Sequence, residues 1–254
     1  MSHNPFSLQG QTALITGVAT GLGQAMAIGL AQAGADIVGT YHHKPADAVK
    51  QAIEAAGRRF IGVPADLAKT ESIPNLLIDV LKQVDRIDIL INNAGIIRRS
   101  DFLDFTEADW DEVMDVNLKS LFLLSQAVAR QMVERNLKGK IINIASLLSY
   151  QGGIRVPSYT ASKHGVVGLT RLMANELASK GINVNAIAPG YMVTDNTQAL
   201  REDPKRHAEI LGRIPAGRWG EPEDIKGVAV FLASAASDYI QGITLPVDGG
   251  WLSR

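Results

Sequence analysis

Seven short, largely β-branched runs alternate with longer amphipathic stretches along this chain, and that rhythm restricts its fold more than any other feature. The runs are Thr12–Thr16, Asp36–Thr40, Arg59–Val63, Ile87–Ile91, Lys140–Ala145, Asn183–Ala188 and Ile243–Val247. Strands alternating with helical patterns build βαβ units around a parallel sheet, with helices covering both faces. The chain is therefore expected to form one α/β domain over residues 1–254, a doubly wound sheet of seven parallel strands. Apolar residues make up 46% of it, ample for a continuous core.

Helical patterns fill the gaps. Leu22–Ala33 is rich in alanine and closes at Gly34, in the position of a C′ glycine. Thr106 with Asp109 resembles a capping box ahead of a long helix toward Val133. Tyr159 to Lys180 ends at Gly181, and Pro222 with its flanking acids suits a helix's first turn. The alternation breaks only at Met192–Pro215, a polar stretch expected to be a mobile lid over about 192–215.

Composition removes several classes of function. Net charge is −1 without a long like-charge run, so neither nucleic acid nor a membrane surface is expected as a partner. The absence of cysteine excludes disulfides, thiol catalysis and Cys-ligated zinc. The five histidines show no metal-ligand spacing, so no metal is expected, and His42-His43 reads as a solvated loop pair. No apolar run reaches the length of a membrane span, and the start lacks a signal-peptide pattern. The expectation is a cytoplasmic protein.

Directly after the first strand comes Gly17-Val-Ala-Thr20-Gly21-Leu22-Gly23, then a helix. Glycines there permit a tight turn and close approach of a pyrophosphate, whose charge favours the helix N-terminus. The spacing, Gly-x-x-x-Gly-x-Gly, departs from the usual dinucleotide fingerprint. Its place at the first βα junction nonetheless marks Gly17, Thr20, Gly21, Leu22 and Gly23 as cofactor contacts and makes the sheet Rossmann-type. The second strand ends in Thr40-Tyr41-His42-His43-Lys44, without an acid for the ribose hydroxyls of NAD. Tyr41 could stack, and His42 or Lys44 could receive a 2′-phosphate, which leaves NAD and NADP both open. Asp66 and Leu67, after the third strand, suit the adenine edge; Asp66 serves equally well as a helix cap.

Tyr159 and Lys163 are four apart, on one face of a helix. A unit charge about 4 Å away at an effective dielectric near 20 favours phenolate by roughly 4 kcal/mol. That could lower the phenol's pKa by up to about 3 units, with desolvation opposing. A phenol tuned this way exchanges a proton with an alcohol or a carbonyl. Ser146 closes a strand and can donate to an incipient alkoxide, although by itself a strand-end serine is an ordinary turn former. Asn117 is mildly costly inside a helix unless its side chain has buried work to do.

The glycine spacing, Asn92-Asn93-Ala94-Gly95, Asn117, Ser146, Tyr159-x-x-x-Lys163 and Pro189-Gly190 occur in one order between about Gly10 and Gly250. The ordered set resembles the short-chain dehydrogenase/reductase family. The resemblance implies that Tyr159 exchanges the proton, Ser146 holds the substrate oxygen, and Lys163 lowers the tyrosine pKa while binding the nicotinamide ribose. It implies that Asn117 anchors a water leading from Lys163 to solvent. Asn93 and Gly95 would line the adenosine side, and Met192 and Thr194 the carboxamide. Further segments, Asn93-Ala-Gly-Ile-Ile-Arg98-Arg99, Gln151-Gly-Gly-Ile-Arg155, Thr194-Asp-Asn196-Thr-Gln198 and Asp248-Gly-Gly-Trp251, are similar to a branch acting on pectin-derived sugar acids. Those substrates are of the 2-deoxy-D-gluconate or 2-dehydro-3-deoxy-D-gluconate type.

On that resemblance, Arg155 and Arg98 are expected at the substrate carboxylate. Gln151, Asn196 and Gln198 are expected at its hydroxyls. Trp219 and Trp251 would face subunit contacts of a homotetramer. NAD is the cofactor expected, with NADP the alternative. A 3-oxoacyl carrier-protein reductase shares most of these motifs, but it needs a basic face that a net charge of −1 does not advertise. A non-catalytic nucleotide-binding scaffold would be expected to lack Tyr159 or Lys163, and both are present.

Overall fold

All seven apolar runs form parallel strands in the computed structural model, which describes residues 4–254. Met1, Ser2 and His3, part of the start read above for a signal peptide, lie outside the described residues. Along the chain come β1 (Thr12–Thr16), α1 (Gly21–Gln32), β2 (Asp36–Tyr41), α2 (Asp47–Ala55), β3 (Phe60–Pro64) and α3 (Ile73–Leu81). There follow β4 (Ile89–Asn92), α4 (Glu107–Met114), α5 (Ser120–Glu134), β5 (Gly139–Ile144), α6 (Pro157–Leu177) and β6 (Ile182–Pro189). The chain closes with α7 (Gln198–Glu202), α8 (Pro204–Leu211), α9 (Lys226–Ala233) and β7 (Thr244–Val247). Strand bounds differ from the sequence reading by one or two residues, because apolar runs mark burial rather than the ends of hydrogen-bonded ladders.

The sheet order is β3-β2-β1-β4-β5-β6-β7. Winding runs outward from β1 in one direction and resumes at β4 in the other, so a crevice opens between their carboxyl ends. Alternate side chains face opposite layers. Leu14, Leu90 and Ile141 enter one core with α3, α5 and α6. Ile15, Ile89, Ile91 and Ile142 enter the other with α1, α2 and α9. Burial on both faces explains why these strands read as unbroken apolar runs. Among the described residues no helix is long and apolar enough to cross a membrane, and no cluster of metal-ligating side chains gathers.

The helix expected from Thr106 toward Val133 begins as read, with the Thr106 hydroxyl accepting from the Asp109 amide at 3.1 Å. Its middle departs from α geometry: Asp115–Lys119 is a π-helical turn between α4 and α5. Such a turn carries one extra residue, and 3.6-residue patterning does not reveal it. The helix at Tyr159 starts earlier, at Pro157, and ends through a 3-10 turn at Gly181 with φ +78°. Trp219 and Trp251, expected at subunit contacts, are 7% and 4% exposed within the chain's own third apolar cluster, together with Leu147, Ile210 and Ile214. Tyr191 and the Arg213 guanidinium pack onto Trp251. An intramolecular aromatic cluster therefore replaces the interface expectation. It also anchors the second half of the stretch read as a lid.

Candidate active site

A cavity of about 600 Å³ occupies the crevice beyond the carboxyl ends of β1 and β4. At one end Gly17 takes φ +70° and Gly23 packs so closely that an added Cβ would stand 2.1 Å from the Gly17 carbonyl oxygen. Asn93 braces this turn, its Nδ2 donating to the carbonyls of Thr16 and Gly17 at 2.8 and 3.0 Å. Thr20, at the N-cap, uses no side-chain oxygen on the helix, and the first amides of α1 have no intrahelical partners. Partial positive charge and free donors converge on glycine-lined space, which fits a pyrophosphate.

Gly17, Thr20, Gly21, Leu22, Gly23, Tyr41, His42, Asp66, Leu67, Asn93 and Gly95 all line the cavity. So do Pro189, Gly190, Met192, Thr194 and Asn196 on its far wall. Lys44, weighed for a 2′-phosphate, lines it too, and His43 joins beyond the sequence reading. Asp66 is not the helix cap weighed for it, since the next helical turn is capped at Lys69; its carboxylate instead closes a local turn, accepting from the Ala68 amide at 3.1 Å, and lies 3.8 Å from His42.

Ser146, Tyr159 and Lys163 meet at the other end. The 3-10 turn after β5 is capped by Ser146, whose Oγ accepts from the Leu148 amide at 3.2 Å. Ser149, which the sequence reading did not single out, donates its hydroxyl to the Lys163 carbonyl at 2.6 Å and ties this turn to α6. Asn117 does not line the cavity. From the π turn, its Oδ1 accepts from the Ile96 amide at 2.8 Å while its Nδ2 donates to the Ile96 carbonyl at 2.9 Å. Its buried work is to hold the loop after β4. Gly95, in that loop, lies against both the Asn117 carboxamide and the Lys163 ammonium.

The electrostatics differ from the simple Tyr–Lys expectation. Lys163 Nζ stands 5.6 Å from the Tyr159 ring centroid and donates to the Ile144 carbonyl at 2.6 Å. Burial pushes the lysine down to about 8. The tyrosine is pushed up by burial, against the opposing influence of the Ser146 hydroxyl and the Arg99 guanidinium. Desolvation outweighs the neighbouring charge, so the phenol is a neutral acid at physiological pH rather than a half-ionised base.

Two substrate expectations fail on position. Arg155 is 58% exposed, pairs with Asp101 at 3.0 Å and does not line the cavity. Its backbone sits at φ +65° with its carbonyl accepting from the Ser100 amide at 3.1 Å, so it closes a loop. Gln151 lies outside the cavity, accepting weakly from Trp251 Nε1 at 3.4 Å. Arg98 does line the cavity, but Glu112 at 2.7 Å and Asp109 at 3.6 Å neutralise it. Arg99, quoted in the sequence only as part of a segment, is the arginine whose charge reaches Tyr159.

A phosphate cradle and an acid–base pair at the two ends of one cleft make this a nicotinamide-dependent oxidoreductase. A family model described as enoyl-(acyl carrier protein) reductase matches residues 17–252. The 2-dehydro-3-deoxy-D-gluconate 5-dehydrogenase of Escherichia coli is 61% identical over 254 residues, the whole of both chains. The enzyme of that name from Bacillus subtilis is 56% identical over 252 residues, 99% of this chain and 98% of its own. A structure titled as a putative 2-deoxy-D-gluconate 3-dehydrogenase of Agrobacterium tumefaciens, with bound NADP, superposes with TM-score 0.93 at 57% identity, covering 99% of this chain and all of the other. A gluconate 5-dehydrogenase of Burkholderia cenocepacia, in complex with NADP and tartrate, gives TM-score 0.92 at 40% identity over 98% of each chain. The chain belongs to the short-chain dehydrogenase/reductase family.

Proposed function

We propose that this protein interconverts a secondary hydroxyl and a ketone of a sugar acid of the 2-dehydro-3-deoxy-D-gluconate type, using a nicotinamide cofactor. The carrying observation is end-to-end 61% identity to an enzyme named for that reaction, in a chain whose cleft holds Ser146, Tyr159 and Lys163 together.

The glycine turn and the N-terminus of α1 take the pyrophosphate, and Asn93 keeps that turn in shape. Pro189, Gly190, Met192 and Thr194 form the wall for the nicotinamide end. The cofactor supplies the hydride acceptor or donor. Tyr159, neutral at physiological pH, donates its proton to the ketone oxygen in reduction and takes it back in oxidation. Ser146 donates to the same oxygen as negative charge develops. Lys163, protonated below about 8, stabilises the phenolate left behind. Asn117 holds the Ile96 loop against Lys163.

The end of β2 bears on the choice between NAD and NADP. No acid stands there to repel a 2′-phosphate, while His42, His43 and Lys44 line that end of the cavity. These side chains favour NADP at least as much as the NAD expected from the sequence. We propose a lid over the first part of 192–215, supported by two links across the cleft. Lys44 pairs with Asp195 at 2.6 Å, and Arg99 donates to the Asn196 carbonyl at 2.9 Å. A cytoplasmic homotetramer working on pectin breakdown products is part of this reading. Exposed Phe102 and Leu103, 79% and 93% accessible, support association.

The family model's description favours a second reading, reduction of a carrier-bound acyl chain. A net charge of −1 gives little purchase to an acidic carrier. Purified protein mixed with NAD or NADP and a panel of sugar acids, neutral polyols and 3-oxoacyl thioesters separates the readings through absorbance of the reduced nicotinamide. Turnover confined to sugar acids is expected; none with either cofactor refutes the proposal. Tyr159→Phe should slow the chemical step by about 10²–10⁴-fold at unchanged cofactor affinity, and near-normal turnover would remove the proton-transfer role.

A further inference from the structure

We infer that Ser149 is the positioning residue that sets the spacing between Ser146 and Tyr159, a single oxygen joining the turn after β5 to α6. The inference rests on the proton-transfer roles proposed for Ser146 and Tyr159, and it adds what holds the two at working distance. The Ser149 hydroxyl acts in both directions. It donates to the Lys163 carbonyl at 2.6 Å and accepts from the Ser146 amide at 3.3 Å. The residue is 8% exposed, so little water competes for either bond.

The helix that receives this bond does not need it. Lys163 lies inside α6, where a carbonyl takes the amide four residues on. A second donor there satisfies no orphan group, so its effect is to fix one element on another. On the other side, Leu147–Ser149 is a three-residue 3-10 turn, too short to hold its shape by its own backbone bonds. Lys163 is tied back a second time through its ammonium, which donates to the Ile144 carbonyl at 2.6 Å. Residues 144–149 therefore grip Lys163 by main chain and side chain together, and Tyr159 stands one helical turn before it. Within that grip the Ser146 Oγ accepts from the Leu148 amide at 3.2 Å, which leaves its proton for the reacting oxygen. The Ser146 hydroxyl also lowers the Tyr159 pKa against the rise from burial. The charged groups bearing on that phenol are Arg99, from the loop after β4, and Lys163 on α6 itself. Without the Ser149 oxygen the turn is free to drift from α6, and the phenol loses the Ser146 donor while both cations stay in place.

The test compares wild type, Ser149→Ala, Ser149→Thr and Ser234→Ala with 2-dehydro-3-deoxy-D-gluconate. It follows kcat and KM across pH, cofactor affinity by fluorescence, and folding by thermal unfolding. Ser234 is the control: fully buried, with its hydroxyl donating to the Phe231 carbonyl at 2.9 Å, outside the cleft. Misplacing a reacting group by about 1 Å costs up to about 10²-fold, so Ser149→Ala should lower kcat by roughly 10- to 100-fold. KM and cofactor affinity should stay near wild type. The rise of oxidative kcat with pH should move to higher pH, because the phenolate loses a donor. Ser149→Thr, which keeps the oxygen, should recover most of both, and Ser234→Ala should change thermal unfolding alone. A crystal structure of Ser149→Ala should show the Ser146 turn farther from α6 than in wild type. Equal kcat in Ser149→Thr and Ser149→Ala, an unmoved pH profile, or superposable structures overturn the inference. Should Ser149→Ala fail to fold, Ser149→Cys carries the comparison: a thiol is a weak donor, so its kcat must fall. A wild type inactive on every sugar acid defeats the substrate reading instead, and the paired structures then decide the role of Ser149 on their own.

Discussion

At the scale of single residues, opposite shifts in two buried groups dominate the site. Tyr159 and Lys163 are both taken out of water, and burial favours the neutral form of each. Lys163 falls from an ordinary 10.5 to about 8. Between those values the unfolded chain binds more protons than the folded one, so stability should rise with pH across that window. Tyr159, shifted upward from 10.0, acts in the opposite sense above its ordinary value, which confines the rise to about pH 8–10. Denaturant unfolding of the ligand-free protein at several pH values should show that gain, and Lys163→Met should flatten it; equal slopes would show that another group is responsible. The residues of this pair were legible in the sequence from their spacing and their company. Their charge state was not, because burial depends on what the rest of the chain lays over them. Nor could adjacent Arg98 and Arg99 be told apart, since Glu112 and Asp109, which neutralise the first, belong to another element.

At the scale of elements, the glycine turn leading into α1 is the most tightly specified piece of backbone. Gly23→Ala would drive a methyl group to 2.1 Å from the Gly17 carbonyl oxygen and 2.5 Å from Asn93 Nδ2. Gly57 supplies a control: at φ +72° with nothing within 4 Å of an added Cβ, alanine there costs only the left-handed strain of about 1–2 kcal/mol. Gly23→Ala should weaken cofactor binding by more than tenfold in a fluorescence titration while Gly57→Ala leaves it unchanged; equal affinities in the two variants would detach the turn from the cofactor. The central strands were readable because β1, β4, β5 and β6 are buried on two sides and so spell a continuous apolar word. The π turn at Asp115–Lys119 was not, because one extra residue barely disturbs the periodicity of a long amphipathic helix. The aromatic cluster around Trp251 escaped for a related reason: a large apolar side chain reads alike whether its own chain or a second one covers it.

For the molecule as a whole, the cleft is where two halves of the winding meet, and a ligand filling it touches both. Residues from α1, β2, β5, α6 and β6, with the segments that follow β1, β3, β4 and β6, share its walls. Cofactor that binds only the folded form, present at about 100 times its Kd, should stabilise it by roughly 2.7 kcal/mol. For a chain of this size that corresponds to a melting temperature higher by roughly 5–10 °C. Differential scanning fluorimetry with NAD and NADP in parallel would read both the effect and the preference. No shift with either would mean that the cleft is not where the dinucleotide sits.

The widened turn beneath Asn117 makes chain length, and not only residue type, part of what shapes the loop behind the cleft. Deleting one amino acid there would restore ordinary winding, keep the flanking segments in phase and look harmless in any tally of surface substitutions. It would also erase the bulge from which a carboxamide reaches across to Ile96, and with it the hold on the loop that lies beside Lys163.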